Sequence, residues 1–261
     1  MGPISTGSIP QRFLSASALI ALMIALVPPS ALSEPPALVK EAGNATRSPA
    51  LKVALPDKWL PSKGRQCYRR GKYRGFCEGP RRVPAPHGEA AALAERLRLG
   101  EIKTVSHLML KAPEPEWVEA AGPDRGERLL WPVVGGKLWR GFGKVRRGPK
   151  RKKRHKGIDI GAPEGTLLRA AKSGLVAYSD NGVRGYGNLL VTVHPDATVA
   201  FYAHARALYV FPGERVERGQ IIGEVGHTGI ARGAHLHFEY RRRGRPRDPL
   251  RKRGFEGRPD L

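Results

Sequence analysis

The chain has 261 residues, enough for one full domain and a smaller module. Hydrophobic residues make up 40% of it, which excludes a chain too polar to build a core. Lys and Arg outnumber Asp and Glu by 46 to 23, a formal net charge of +23. So large an imbalance calls for an anionic partner: nucleic acid, an acidic membrane surface or an anionic wall polymer. Charge alone does not choose among them.

The first element is an apolar run from Phe13 to Val27, preceded by Arg12, ended by Pro28 and Pro29 and followed by Ala31-Leu32-Ser33. This is the order of a secretory signal peptide, so residues 1–33 are expected to be removed near Ser33–Glu34. The run is shorter than the ~18 apolar residues of a spanning helix, so no stable membrane span is expected afterwards. No Cys stands near the cleavage site, which argues against lipid attachment there. The protein is therefore expected in the periplasm, the cell envelope or outside the cell.

Residues 34–60 are rich in Pro, Ala and Ser and read as a linker. Residues 61–125 read as a small N-terminal module. It opens on a basic, Gly/Pro-rich segment holding Cys67 and Cys77, the only two cysteines. In an oxidising compartment they are expected to form a local disulfide. His87 to Leu99 reads as a helix with Ala90, Leu93, Ala94 and Leu97 on one face and Gly100 as its stop. A second short helix is expected over Val105 to Leu110, and Pro113, Pro115, Gly122 and Pro123 then read as linker.

Residues 126–250 have a different texture. Short β-rich runs alternate with glycine turns: Leu167–Ala171, Gly174–Ser179, Asn188–His194, Thr198–His204, Gln220–Val225 and His235–Tyr240. The predicted fold is mostly β, a compact antiparallel sheet beside the small helical module. Residues 251–261 form a charged tail, expected to be frayed. A cationic run from Lys144 to Arg154 ends directly at His155. It reads equally well as a solvated loop or as an element that draws in an anionic substrate.

The chemistry lies in three short motifs, His155-x-x-x-Asp159, Tyr202-Ala203-His204 and His235-Leu236-His237. In a strand, residues two apart share a face. His235 and His237 then point one way while Leu236 and Phe238 enter the core. His155 and Asp159 are also an even step apart, with Ile158 and Ile160 on the opposite face. Polar side chains gathered on inner strand faces are costly without a shared partner, and a metal is the natural one. Two His and one carboxylate with an open position form a catalytic zinc pattern. Zinc activates water near neutral pH and polarises a carbonyl oxygen. Spare imidazoles can take the water's proton and support the developing oxyanion. Non-haem iron oxygenases also use two His and a carboxylate, but need no further imidazoles. Each motif alone is weak; their conjunction is strong.

These motifs, with Gly157-Ile158-Asp159-Ile160, Ala162-Pro163-Glu164-Gly165-Thr166, Gly185-Tyr186-Gly187-Asn188 and Gly233 to Glu239, resemble the lysostaphin-type (LytM-type) zinc metallopeptidases of bacterial peptidoglycan. The resemblance implies a small β-sheet with a long open groove. It implies His155, Asp159 and His237 as zinc ligands, and His204 and His235 as non-ligand catalytic histidines, with His235 taken as the general base. Glu239 is a candidate for supporting a ligand. Ala234 and Ala205 depart from the family's usual Pro and Leu at positions without chemistry. The family's frequent upstream Tyr has only Phe142 near its place.

Two readings of function follow from the resemblance, and charge adds a third. The first is a secreted zinc endopeptidase cutting crosslinks or stem peptides of peptidoglycan. The alternative is a latent wall-binding regulator, because some relatives lack ligands and activate other wall hydrolases. A nucleic-acid binder is disfavoured by the export segment and by the lack of a nucleic-acid motif.

Overall fold

A computed structural model describes residues 66–69, 72–76, 88–147, 151–251 and 254–256, with side chains over 88–143, 154–251 and 254–256. The Phe13–Val27 run, the 34–60 linker, Cys77 and the side chain of Cys67 lie outside the described residues. The expected disulfide gains no support, since no cysteine pair occurs among the described residues. There the backbone of Gln66–Arg69 and Lys72–Phe76 forms an antiparallel hairpin with Cys67 opposite Gly75. No helix among the described residues is long and apolar enough to cross a membrane.

The frame is one antiparallel sheet of eight strands. In chain order they are β1 (Lys137–Arg140), β2 (Ile158–Gly161), β3 (Gly174–Asp180), β4 (Asn188–Val193), β5 (Thr198–Ala205), β6 (Arg215–Val216), β7 (His235–Arg242) and β8 (Arg245–Arg247). Across the sheet the order is β6-β3-β4-β5-β7-β2-β1, with β8 beside β7. The expected antiparallel, mostly β architecture is the observed one.

The central strands are buried on both faces. Along β5, Ala200 and Tyr202 enter one core, and Val199, Phe201 and Ala203 the other. On β4 the same two-residue period separates Leu190 from Leu189, Val191 and Val193. A smaller sheet of Leu167–Arg169, Ala207–Leu208 and Ile221–Glu224 closes the first core, together with Trp131. Three helices, α1 (Gly88–Arg96), α2 (Ile102–Leu110) and α3 (Pro115–Ala120), close the second. Ala94, Leu97, Val105, Leu108 and Trp117 pack there against Leu175, Ala177 and Phe201.

α1 ends earlier than its apolar stripe suggests because Arg98 adopts φ +52° and Gly100 φ +84°. The Gly100 N–H then donates to Ala177 O at 2.8 Å, tying the helix end to β3. α3 occupies a stretch expected as linker. Pro115 stands in its first turn, where a missing N–H costs nothing. The Trp117 indole N–H donates to Leu97 O at 3.1 Å.

The tail and the cationic run also differ from expectation. Phe255–Glu256 pairs in parallel with Leu129–Leu130, and the Phe255 ring packs on Trp131 and Phe238. One aromatic side chain is enough to anchor this part of the tail in the core. The cationic run forms an antiparallel hairpin, Gly143–Arg147 with Arg151–His155, whose register sets Lys144 opposite Arg154 and Arg146 opposite Lys152.

Candidate metal centre and its cleft

β7 assembles the site. Leu236 and Phe238 enter the core beneath the smaller sheet, so His235 and His237 face the other way. On β2, Ile158 and Ile160 enter that same core, leaving Asp159 on the site face, and the strand register sets His237 directly opposite Asp159. His155 arrives from the end of the cationic hairpin, paired with Gly143. Gly157 permits the tight passage between hairpin and β2, because a Cβ there would lie 2.1 Å from Phe238 O.

His204 reaches the site by a different device. Simple alternation after Ala203 would turn it to the opposite face. Between β4 and β5, however, Asn188 pairs with Ala205 and Leu190 with Tyr202, so Leu189 alone faces Ala203 and His204. This is a β-bulge, and His204 takes φ +67°, a region that non-glycine residues seldom occupy. The ring is thereby re-aimed to lie 4.9 Å from that of His235 and 5.9 Å from that of His237, centroid to centroid.

Hydrogen bonds decide which nitrogen each ring presents. Carbonyl oxygens only accept, so His155 Nδ1–H donates to Gly141 O at 2.8 Å, leaving Nε2 with its lone pair. His237 Nε2–H donates to Glu239 Oε1 at 3.1 Å, leaving Nδ1 turned toward Asp159. Those two nitrogens lie 3.1 Å apart, and Asp159 Oδ1 is 3.0 Å from the first and 2.8 Å from the second. Three such atoms so close repel one another unless a proton or a metal cation sits among them. Their chemistry, two imidazoles and a carboxylate, suits a divalent metal.

The surroundings reinforce this field. Burial alone would raise the Asp159 carboxyl, but the adjacent His155 and His237 rings hold it well below the usual carboxylate range. Burial alone would lower His237, yet Asp159 and Glu239 push it up to about 9. Glu239 is itself buried and clamped by Arg241 Nε at 2.7 Å and by the Tyr186 hydroxyl at 2.9 Å. Arg140 Nη1 sits 3.2 Å from Asp159 Oδ2, so the carboxylate offers only Oδ1 to the cluster.

The two remaining histidines are neutral acceptors. His235 Nδ1–H donates to Gly233 O at 2.8 Å, and His204 Nδ1–H to Thr228 O at 2.7 Å. Each therefore keeps an unprotonated Nε2. Burial lowers His235, and burial together with His235 and His237 pushes His204 down to about 3.

All five predicted side chains thus converge on one cleft of about 380 Å³. Sequence reasoning missed Arg140 and the hydroxyl of Tyr186. Arg140 lies opposite Asp159 in the strand register, a cross-strand pairing invisible before β1 and β2 are aligned. His227 is half exposed and paired with Glu164 at 2.9 Å. His194 follows the end of β4 with its ring fully buried and bonded to Ser173 O at 2.8 Å.

Comparison with known proteins places this geometry in context. The profile of "Peptidase family M23" matches residues 153–249. "Lipoprotein NlpD/LppB homolog" of Pseudomonas aeruginosa is 43% identical over 120 residues, 46% of this chain and 40% of that protein. "Murein hydrolase activator NlpD" of Escherichia coli is 38% identical over 121 residues, 46% of this chain and 30% of that protein. The chain thus spans less than half the length of either relative. The solved catalytic domain of lysostaphin from Staphylococcus simulans is 29% identical, covering 45% of this chain and 91% of that one, with a TM-score of 0.42. Residues 153–249 thus match peptidase family M23, the lysostaphin-type family that the motifs resemble.

Proposed function

We propose that this protein is an exported cell-wall factor that holds zinc through His155 Nε2, Asp159 Oδ1 and His237 Nδ1 and acts on peptidoglycan by cutting peptide bonds. The observation that carries this reading is the convergence of three acceptors at 2.8–3.1 Å with two further neutral imidazoles beside them. Zinc bound there supplies Lewis acidity toward water and a peptide carbonyl. His235, its proton fixed on Nδ1, uses Nε2 to take a proton from water and return it to the leaving amine. His204 presents a second acceptor and orients the same water. As an oxyanion donor it would have to be an imidazolium, which its burial opposes.

A second reading has its own support. Curated relatives that share this domain include proteins named murein hydrolase activators, and they weigh more toward activation of other wall hydrolases than toward cleavage by this chain. In that reading the same cleft binds without turnover.

One experiment separates the two. The zinc-loaded protein is incubated with purified peptidoglycan, with and without chelator, alone and with a second wall hydrolase from the same cell. Chelator-sensitive new amino termini from the protein alone support the peptidase. No cleavage alone but faster release by the added hydrolase supports the activator. Neither effect overturns both readings.

A further inference from the structure

Beyond the histidines and Asp159, the cleft wall carries an unusual set of side chains: Arg140, Arg184 and Arg232 with Trp139 and Ile230. Trp139 and Ile230 are large apolar residues left 59% and 48% exposed, and Arg184 and Arg232 are exposed beside them. Among the described residues, the only carboxylate lining the cleft is Asp159, which is already engaged by His155, His237 and Arg140. The wall is therefore cationic, with two apolar ledges.

The arrangement is held in place by the backbone. Arg184 sits on the loop before β4, and Ile230 and Arg232 sit on the loop before β7. The Ile230 N–H donates to Gly185 O at 3.0 Å and the Asn188 N–H to Thr228 Oγ1 at 3.0 Å. Gly187 and Gly229 let the loops touch, since a Cβ on Gly229 would lie 2.4 Å from Gly187 N. Trp139 is seated in a similar way: a Cβ on Gly161 would collide with its indole, and its ring lies 6.0 Å from that of His235. The loops that carry these side chains are thus fixed in place, which lowers the ordering cost of binding.

We propose that this wall selects peptides bearing free carboxylates close to the bond at the metal cluster, in preference to uncharged bridges such as oligoglycine. Guanidinium forks recognise carboxylates bidentately. An oligoglycine segment has neither a carboxylate for the arginines nor a side chain for Trp139 and Ile230. The inference rests on the reading that a wall peptide occupies this cleft, whether or not it is cut there.

The test uses a fluorescent crosslinked stem peptide in two forms, one with free side-chain and terminal carboxylates and one with all of them as carboxamides. Binding to the zinc-loaded protein is read by anisotropy, with peptide integrity followed by mass spectrometry. The carboxylate form should bind about tenfold more tightly. Arg232→Gln should remove most of that difference, with zinc content as parent. Equal binding of the two forms overturns this inference and leaves the cleft as a peptide site. Failure of both forms to bind overturns the inference together with the reading beneath it.

Discussion

Glu239 Oε1 lies 3.1 Å from His237 Nε2, and this contact turns the Nδ1 of His237 toward Asp159. The carboxylate is a supporting group behind a proposed zinc ligand, and such groups contribute strongly to metal affinity. Glu239→Gln keeps an acceptor but removes the charge, and zinc affinity should fall about tenfold. Glu239→Ala should cost about a hundredfold. The alanine variant also strands Arg241, which is 2% exposed, at a cost on the order of 3 kcal/mol. Chelator competition and urea unfolding read the two effects separately; unchanged affinity in both variants would remove Glu239 from the site.

The two histidines of the His235-Leu236-His237 motif should separate cleanly. His237→Ala should lose both zinc and any turnover. His235→Ala should keep about one zinc per chain by metal analysis while turnover falls by about 100-fold or more. A His235→Ala protein that cleaved peptidoglycan at the parental rate would disprove the base assignment.

His194 predicts acid sensitivity away from the cleft. Burial pushes its imidazole down to about 4, against 6.5 for an ordinary histidine. Between those values the unfolded chain takes up a proton that the folded protein refuses. Stability therefore falls as pH drops from 6.5 toward 4, by about 3 kcal/mol in all. His194→Asn should flatten the dependence of unfolding free energy on pH in that window by up to about 1.4 kcal/mol per pH unit. Identical slopes in the two proteins would show that this ring does not hold the acid response.

Gly229 tests the stitched loops. It adopts φ +74°, and a methyl group there meets the backbone of Gly187. Gly229→Ala should cost about 1–3 kcal/mol. It should also displace Thr228, whose carbonyl holds His204 Nδ1–H, while zinc content stays at the parental level. Thermal melts and metal analysis on the same sample check both halves.

Leu108 tests the helical layer. It is fully buried between α2 and the sheet. Leu108→Ala should cost about 2–5 kcal/mol. Because the helices and sheet share that core, unfolding followed by helix and by tryptophan signals should shift together. Loss of helix signal ahead of the sheet would mean that the helices are a detachable layer.

The strands and the side chains of Asp159, His235 and His237 were legible because a two-residue period places them without knowledge of partners. Leu236 and Phe238 inward force His235 and His237 outward. His204 was legible as a residue type but not by geometry, since its position depends on a bulge opposite Leu189. α3 was hidden because Pro115 looks like a break until it is seen in a first helical turn. The stripe of Leu93, Ala94 and Leu97 announced a helix, yet an apolar stripe does not say which surface it covers. Arg140 and the Tyr186 hydroxyl belong to contacts across strands and loops, which no local pattern encodes. The cationic hairpin lacks the apolar alternation that marks most strands.

The three proposed ligands are unequally anchored. Asp159 and His237 face each other across two neighbouring strands whose alternate residues fill the core, so separating them requires the sheet itself to open. His155 sits at the end of a two-stranded hairpin outside that sheet. Local opening reaches such peripheral elements long before it reaches central strands. Metal exchange should therefore proceed through a two-legged state in which His155 has swung away, at a rate that follows the fraying of one hairpin rather than the unfolding of the domain.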